Sequence, residues 1–516
     1  MLNPLFCLNW LFDQRKRRAL LACVILLSPL ADLESAPKWW QSEASPFKVV
    51  SNARKAEIQR SFEIIWNARA GLQFVFPQLS DKQEEELLLI ITGNAKTRDE
   101  FSFRSGRRRR TLGGYFSNDC EGYYSVINDI GSEQQTRETL VHEYVHHLMR
   151  QYQSAPLWIK EGFAEFFSTV QQEADDSLTI GKPINLNVLY LRQEGFLPLD
   201  KLVAVNYQSR EYRGGEHAGT FYSQSWLLIH YLILGEHDIP KPRVYAFIEK
   251  ALRSNQTPES LFVENLGIDF SDLENRLKAY LNKGRTYTLK FTPENHQAVP
   301  KLQLHPVTDK EIQTLKSRVL LDVQASERSI STIETNLKRW PESSNLLSLK
   351  GQWQFQNNRR NEAEQTLSLA LALDDQNSRA QLWHSINQVS RRLEGKAYRT
   401  GTLNKEETLQ HLTQLFRAKQ AGAIYLPQLY YWIGAVWLSS EVYPEPKHME
   451  ILEIASERFP GNYGITQVLA IYYARCGNFE KAEDLVLRAI PHLPTPIQIK
   501  LREDLHSMRS IKPIYN

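Results

Sequence analysis

The chain carries the run Thr139-Leu140-Val141-His142-Glu143-Tyr144-Val145-His146-His147-Leu148. Two histidines four positions apart are what a metal ion asks of a helix. Residues at that spacing lie on one face, about one turn along the axis. His142 and His146 can therefore each turn a ring nitrogen to one zinc ion at ~2.0–2.1 Å. Glu143 stands beside the first of them, within reach of a water held by such an ion, where a carboxylate serves as general base. His147 is one position off that stripe and reads as a packing residue.

A catalytic zinc takes three protein ligands and keeps one position open. The segment Pro156-Leu157-Trp158-Ile159-Lys160-Glu161-Gly162-Phe163-Ala164-Glu165-Phe166-Phe167 offers two candidates for the third. Glu161 and Glu165 are four apart on one stripe, and spacing alone does not choose between them. A carboxylate within so aromatic and aliphatic a helix needs a partner. That ties at least one of the two to the metal or to its immediate surroundings.

His142-Glu143-x-x-His146 followed by Trp158-x-x-Glu161-Gly162-Phe163-Ala164 resembles the gluzincin metallopeptidases, in particular aminopeptidase N relatives and bacterial peptidase MA-like domains. The resemblance implies a zincin-like α+β domain holding one Zn2+ ion. It implies that the glutamate directly before the glycine, Glu161, is the third ligand, although the gap from His146 is shorter than in aminopeptidase N. Downstream, Phe221-Tyr222-Ser223-Gln224-Ser225-Trp226-Leu227-Leu228-Ile229-His230-Tyr231-Leu232 is similar to the family segment in which a tyrosine opens a long apolar helix. There the tyrosine hydrogen-bonds the oxyanion, a role that maps to Tyr222. A phenol so placed stabilises charge that develops only in the transition state. His217, in the glycine-rich stretch before it, is a second possible donor. The family signature that grips a free N-terminus, Gly-x-Met-Glu-Asn, is absent, so nothing supports aminopeptidase specificity. The likeness spans roughly residues 40 to 290.

Holding these groups together takes a sheet and several helices. Residues 47–50 and 87–92 read as strands, and 113–116 and 123–127 as strands flanking a turn at Asn118-Asp119. Residues 53–70 carry Ile58, Phe62, Ile65 and Ala68 at helical spacing. Helices are expected over 136–152, 157–170 and 221–234, then over 244–254, 258–264 and 270–281. A polar stretch at 291–309 reads as a linker. From 310 to 516 the pattern is helical. Gly351, Ala363, Leu367 and Ala370, and again Ala482, Val486 and Ala489, fall at offsets that resemble tetratricopeptide repeats, whose small residues let paired helices approach. Residues 378–428 fit that pattern poorly.

At 516 residues the chain is long enough for several domains, and its net charge of +3 gives no ground for a nucleic-acid or anionic-membrane partner. Its four cysteines, Cys7, Cys23, Cys120 and Cys476, form neither a disulfide framework nor a cysteine zinc site. Residues 1–36 read as a signal peptide: Arg15-Lys16-Arg17-Arg18 precedes an apolar run at 19–31 that is too short for a bilayer of ~30 Å. Export to the periplasm or beyond is expected, with no stable transmembrane helix once that segment is removed. The run Arg107-Arg108-Arg109-Arg110 reads as a solvated loop.

The expected architecture is thus an α+β zincin-like metallopeptidase domain at 37–290 followed by an all-α tetratricopeptide-like domain at 310–516. The expected function is an exported zinc-dependent hydrolase, a peptidase, acting on a peptide or protein substrate, with a protein partner on the repeats. The rival is a scaffold that works through its repeats and carries an idle metallo-domain. Glu143 weighs against it, because an idle site has no chemical use for a base.

Overall fold

The computed structural model describes residues 38–77, 85–101, 113–128, 132–152, 155–213, 218–254, 256–283, 287–292, 298–323, 327–442, 444–459, 462–490 and 495–508. The signal segment, the Arg107–Arg110 run and His217 lie outside the described residues.

Strands β1 (Trp40–Ala44), β2 (Phe47–Ser51), β3 (Leu87–Thr92), β4 (Gly114–Asp119) and β5 (Gly122–Asn128) build the sheet. Its order is β4-β5-β3-β2-β1, with β9 (His305–Pro306) beyond β1. β2, β3 and β5 run parallel, and β4 and β1 flank them antiparallel. The unbroken apolar run Leu87-Leu88-Leu89-Ile90-Ile91 in β3 suits a central strand covered on both faces. On one face, Phe47, Val49, Leu87, Leu89 and Ile127 join the main core under α1 (Lys55–Val75), whose Ile58, Phe62, Ile65 and Leu72 are buried. On the other, Val50, Ile90, Tyr124 and Val126 meet Phe101 of α2 (Ala95–Phe101) and residues from much later in the chain.

α3 (Glu133–Met149) starts at a capping box: Gln135 N–H donates to Ser132 Oγ at 3.2 Å, and Ser132 N–H to Gln135 Oε1 at 3.1 Å. It packs on α1, β4, β5 and α4 (Leu157–Phe167). Pro156 precedes α4, and ten of its eleven residues are buried, so α4 is an interior helix. A small sheet of β6 (Gln171–Gln172), β7 (Leu178–Ile180) and β8 (Leu289–Phe291) closes one side. Next come α5 (Asn185–Glu194), α6 (Leu199–Ala204), α7 (Arg210–Arg213), α8 (Ala218–Leu234), α9 (Lys241–Leu252), α10 (Glu259–Leu266) and α11 (Phe270–Lys283). α8 packs along α4 and α5.

The expected linker is partly built in. Leu302 is buried in the main core, and β9 pairs with Trp40 and Gln41. α12 (Asp309–Val323) lays Ile312 and Val319 on the back face of the sheet, so the first helix of the C-terminal half completes the core of the first. The remaining helices are α13 (Glu327–Arg339), α14 (Ser344–Gln356), α15 (Arg360–Leu373), α16 (Ser378–Arg392), α17 (Lys405–Gln420), α18 (Pro427–Ser439), α19 (Pro446–Arg458), α20 (Tyr463–Arg475), α21 (Phe479–Ala489) and α22 (Thr495–Met508), most packed against their sequence neighbours. Gly351 shows why a small residue recurs: a Cβ there would lie 2.4 Å from Leu367 Cγ. Residues 378–428, which fit the repeat pattern poorly, contain α16 and α17, and these pack as a pair all the same. No helix among the described residues is long and apolar enough to cross a membrane.

Candidate metal centre

α3 and α4 cross so that His142, His146 and Glu161 converge, the one such group of three His, Cys, Asp or Glu side chains among the described residues. His142 Nε2 and His146 Nε2 are 3.0 Å apart. Glu161 Oε2 lies 3.4 Å from the first and 3.5 Å from the second. A tetrahedral ion with bonds of ~2.0–2.1 Å spaces its ligands about 3.3–3.4 Å apart. A triangle with the observed sides has a point about 1.9 Å from all three corners, so the donor set fits such an ion.

The electrostatics agree with the spacing. Glu161 Oε2 is buried and no hydrogen bond meets it, an arrangement that costs free energy unless a cation answers it. Burial raises the Glu161 carboxyl, but His146 and His142 outweigh this and hold it well below the usual range. Burial likewise opposes charge on His142, yet Glu161 and Glu165 hold its pKa well above the ordinary value. The imidazoles keep 18% and 23% of their side-chain surface exposed while Glu161 keeps 3%. The open side of the triangle thus faces a cleft of about 1120 Å³.

Glu143, next to His142 on α3, lines the same cleft and takes support from the Phe116 backbone N–H of β4. Burial raises its carboxyl above the ordinary value, and His142 and His146 partly offset this. Glu165 is beside the triangle, not in it: its Oε1 is 3.4 Å from Nδ1 of His142, the nitrogen turned away from His146 and Glu161. Tyr222 lies within α8, whose helix begins before it at Ala218, and lines the cleft. His147 packs among Phe116, Tyr123 and Tyr144, away from the triangle.

Several cleft residues escaped the sequence reading. Tyr212 stacks on Tyr222 at 6.3 Å, and its hydroxyl stands by Glu161 and Tyr222. Burial first, then Glu161, pushes both phenols far above their ordinary value, so each stays a protonated donor. Burial lowers Lys160 to about 8 against the pull of Glu161. A tyrosine ten positions before Tyr222 was the one available signal for Tyr212, and nothing in the sequence marked Asn187 or Lys160. The C-terminal half also reaches in, because Pro427 of α18, Phe459 and Asn462 line the cleft. They are held there by Asn118 Nδ2 donating to the Tyr425 carbonyl at 2.7 Å. Glu85 adds to the hold, paired with both Arg150 at 3.2 Å and Arg458 at 2.7 Å.

No protein-family model and no curated protein matches this chain. Among solved structures, a thermophilic TPR protein of Thermus thermophilus matches over 39% of this chain and 100% of its own length, at 18% identity and a TM-score of 0.29. A likeness that loose has no bearing on what the cleft does.

Proposed function

We propose that the chain is a zinc-dependent hydrolase that cleaves peptide bonds, with His142, His146 and Glu161 as metal ligands. The observation that carries the reading is a buried carboxylate oxygen, without a hydrogen bond, at ligand spacing from two imidazole nitrogens on the floor of a cleft. When bound there, zinc supplies a Lewis acid for a carbonyl oxygen and brings the pKa of water down to ~7.

The chain's own residues account for the rest. Glu143, with a raised pKa beside His142, takes a proton from the attacking water and returns it to the leaving amine. Tyr222, or Tyr212 stacked on it, donates its O–H to the oxygen that gains charge in the transition state. Gly113 to Phe116 and Asn118 line the cleft along β4, the edge strand of the sheet among the described strands, where an extended peptide can pair with backbone groups. The helical half contributes Pro427, Phe459 and Asn462 to the cleft lining, so in this reading it belongs to the substrate site and is more than an appended scaffold.

The test pairs two variants. Glu143→Ala is expected to keep one zinc per chain and lose cleavage of a random decapeptide library. His146→Ala is expected to lose both. A purified chain that takes up no zinc, or a Glu143→Ala variant that cleaves as well as the native chain, removes the reading.

A further inference from the structure

Glu165 is itself held. Asn187 Nδ2 on α5 donates to Glu165 Oε2 at 3.0 Å, and Ser223 Oγ on α8 donates to Asn187 Oδ1 at 3.2 Å. With Glu165 Oε1 against His142 Nδ1 at 3.4 Å, the series runs Ser223, Asn187, Glu165, His142 across four helices. Asn187 and Ser223 are both buried.

We infer that Asn187 is a positioning residue for the metal centre: it fixes Glu165, which fixes the ring and tautomer of His142. This rests on the zinc reading above. The direction of each bond supplies the argument. Glu165 next to Nδ1 favours the proton there and leaves the Nε2 lone pair toward Glu161 and His146. A carboxylate can only accept, so its second oxygen needs a donor, and the Asn187 amide presents its NH2 end. Flipping that amide would put its oxygen against the carboxylate. The Ser223 hydroxyl, donating to Asn187 Oδ1, disfavours the flip. α5 also brings Ile184, just before it, and Leu186 to the cleft wall, so one short helix both shapes the cleft and steadies a ligand.

The measurement is the zinc dissociation constant of the full chain, by competition with a chelating dye, alongside thermal unfolding. Asn187→Leu keeps the volume and removes both hydrogen bonds. It is expected to weaken zinc about tenfold, the low end for a group that orients a ligand from outside the coordination sphere. Ser223→Ala is expected to weaken it about threefold, and Co2+ bound to Asn187→Leu is expected to show an altered visible spectrum. Zinc binding at native affinity by a folded Asn187→Leu chain sinks the inference and leaves the zinc reading intact. If that variant does not fold, Ser223→Ala decides, and native affinity there sinks it equally. A native chain without zinc sinks both.

Discussion

Gly162 follows the proposed ligand Glu161 directly, and its missing side chain is a condition of the site. α4 and α8 approach so closely there that a Cβ would lie 2.6 Å from the Ser225 carbonyl oxygen and 2.7 Å from Ile229 Cγ1. Ordinary contact begins at 3.4 Å, and the nearer atom is backbone, which cannot swing aside. In Gly162→Ala the two helices must therefore part by up to about 0.8 Å, in a core packed too tightly to absorb it. Overpacking of this kind costs about 1–3 kcal/mol, and backbone contact argues for about 3. For a unit of this size that lowers Tm by about 6–12 °C. Glu161, one residue away, moves with α4, whereas metal bonds tolerate only about 0.2 Å. Zinc affinity is expected to fall at least tenfold. Differential scanning fluorimetry and chelator competition on the purified variant read the two effects. Native Tm together with native zinc affinity would refute the close helix contact and the rigidity drawn from it.

Tyr222→Phe is expected to lower kcat about 10²-fold with zinc affinity unchanged, the usual scale for losing one oxyanion donor. Tyr212→Phe, whose hydroxyl is next to Glu161, is expected to weaken zinc as well, and the reverse pattern reassigns the donor to Tyr212. Asp119, on the β4–β5 turn, is fully buried and paired with Arg318 of α12 and with Arg379 of α16 at 3.1 Å. Asp119→Asn removes the carboxylate those two guanidinium groups share and leaves them Glu121 and Asp322, so it is expected to cost about 3 kcal/mol, the low end for a broken buried pair, with calorimetry showing the sheet and the helices melting apart. A single transition at native temperature would deny that this cluster joins the halves. Phe459→Ala is expected to leave zinc affinity unchanged and to lower kcat/KM about tenfold for peptides with a bulky apolar side chain near the cut, relative to alanine peptides. An unaltered preference places substrate away from the helical wall.

What the sequence made legible was local. Two histidines at i and i+4 share a helical face whatever surrounds them, and a helix expected over 136–152 spans Glu133–Met149. Strand β3 was fixed at 87–92 by an apolar run that no amphipathic helix carries. Tertiary contacts decided the remainder. The choice between Glu161 and Glu165 turns on which side of His142 each carboxylate reaches, Nε2 or Nδ1, and that depends on how α3 and α4 cross. The stretch 291–309 reads as a linker because it is polar, yet Phe291 and Leu302 are buried in the core and β9 pairs with β1. Asn187 and Phe459 carry no motif, because each matters only through a neighbour at least 22 positions away in sequence.

That asymmetry bears on how the site works. The ligand pair is a property of one helix and survives any rearrangement that keeps α3 whole. The proposed third ligand and the groups inferred to aim His142 come from α4, α5 and α8, whose relative placement rests on tertiary contacts such as Gly162 against Ser225 and Asn187 against Glu165. Loosening α5 or α8 therefore degrades the metal centre before α3 unfolds. Under the proposed zinc reading, an ion that binds only the assembled form stabilises that packing in return by RT ln(1 + [Zn]/Kd), about 2.7 kcal/mol at a hundredfold excess over Kd. Removal of metal by a chelator is thus expected to increase hydrogen exchange first in α5 and the start of α8 while the amides of β3 stay protected. Uniform loss of protection across both would mean that the centre is not the hinge point of this half.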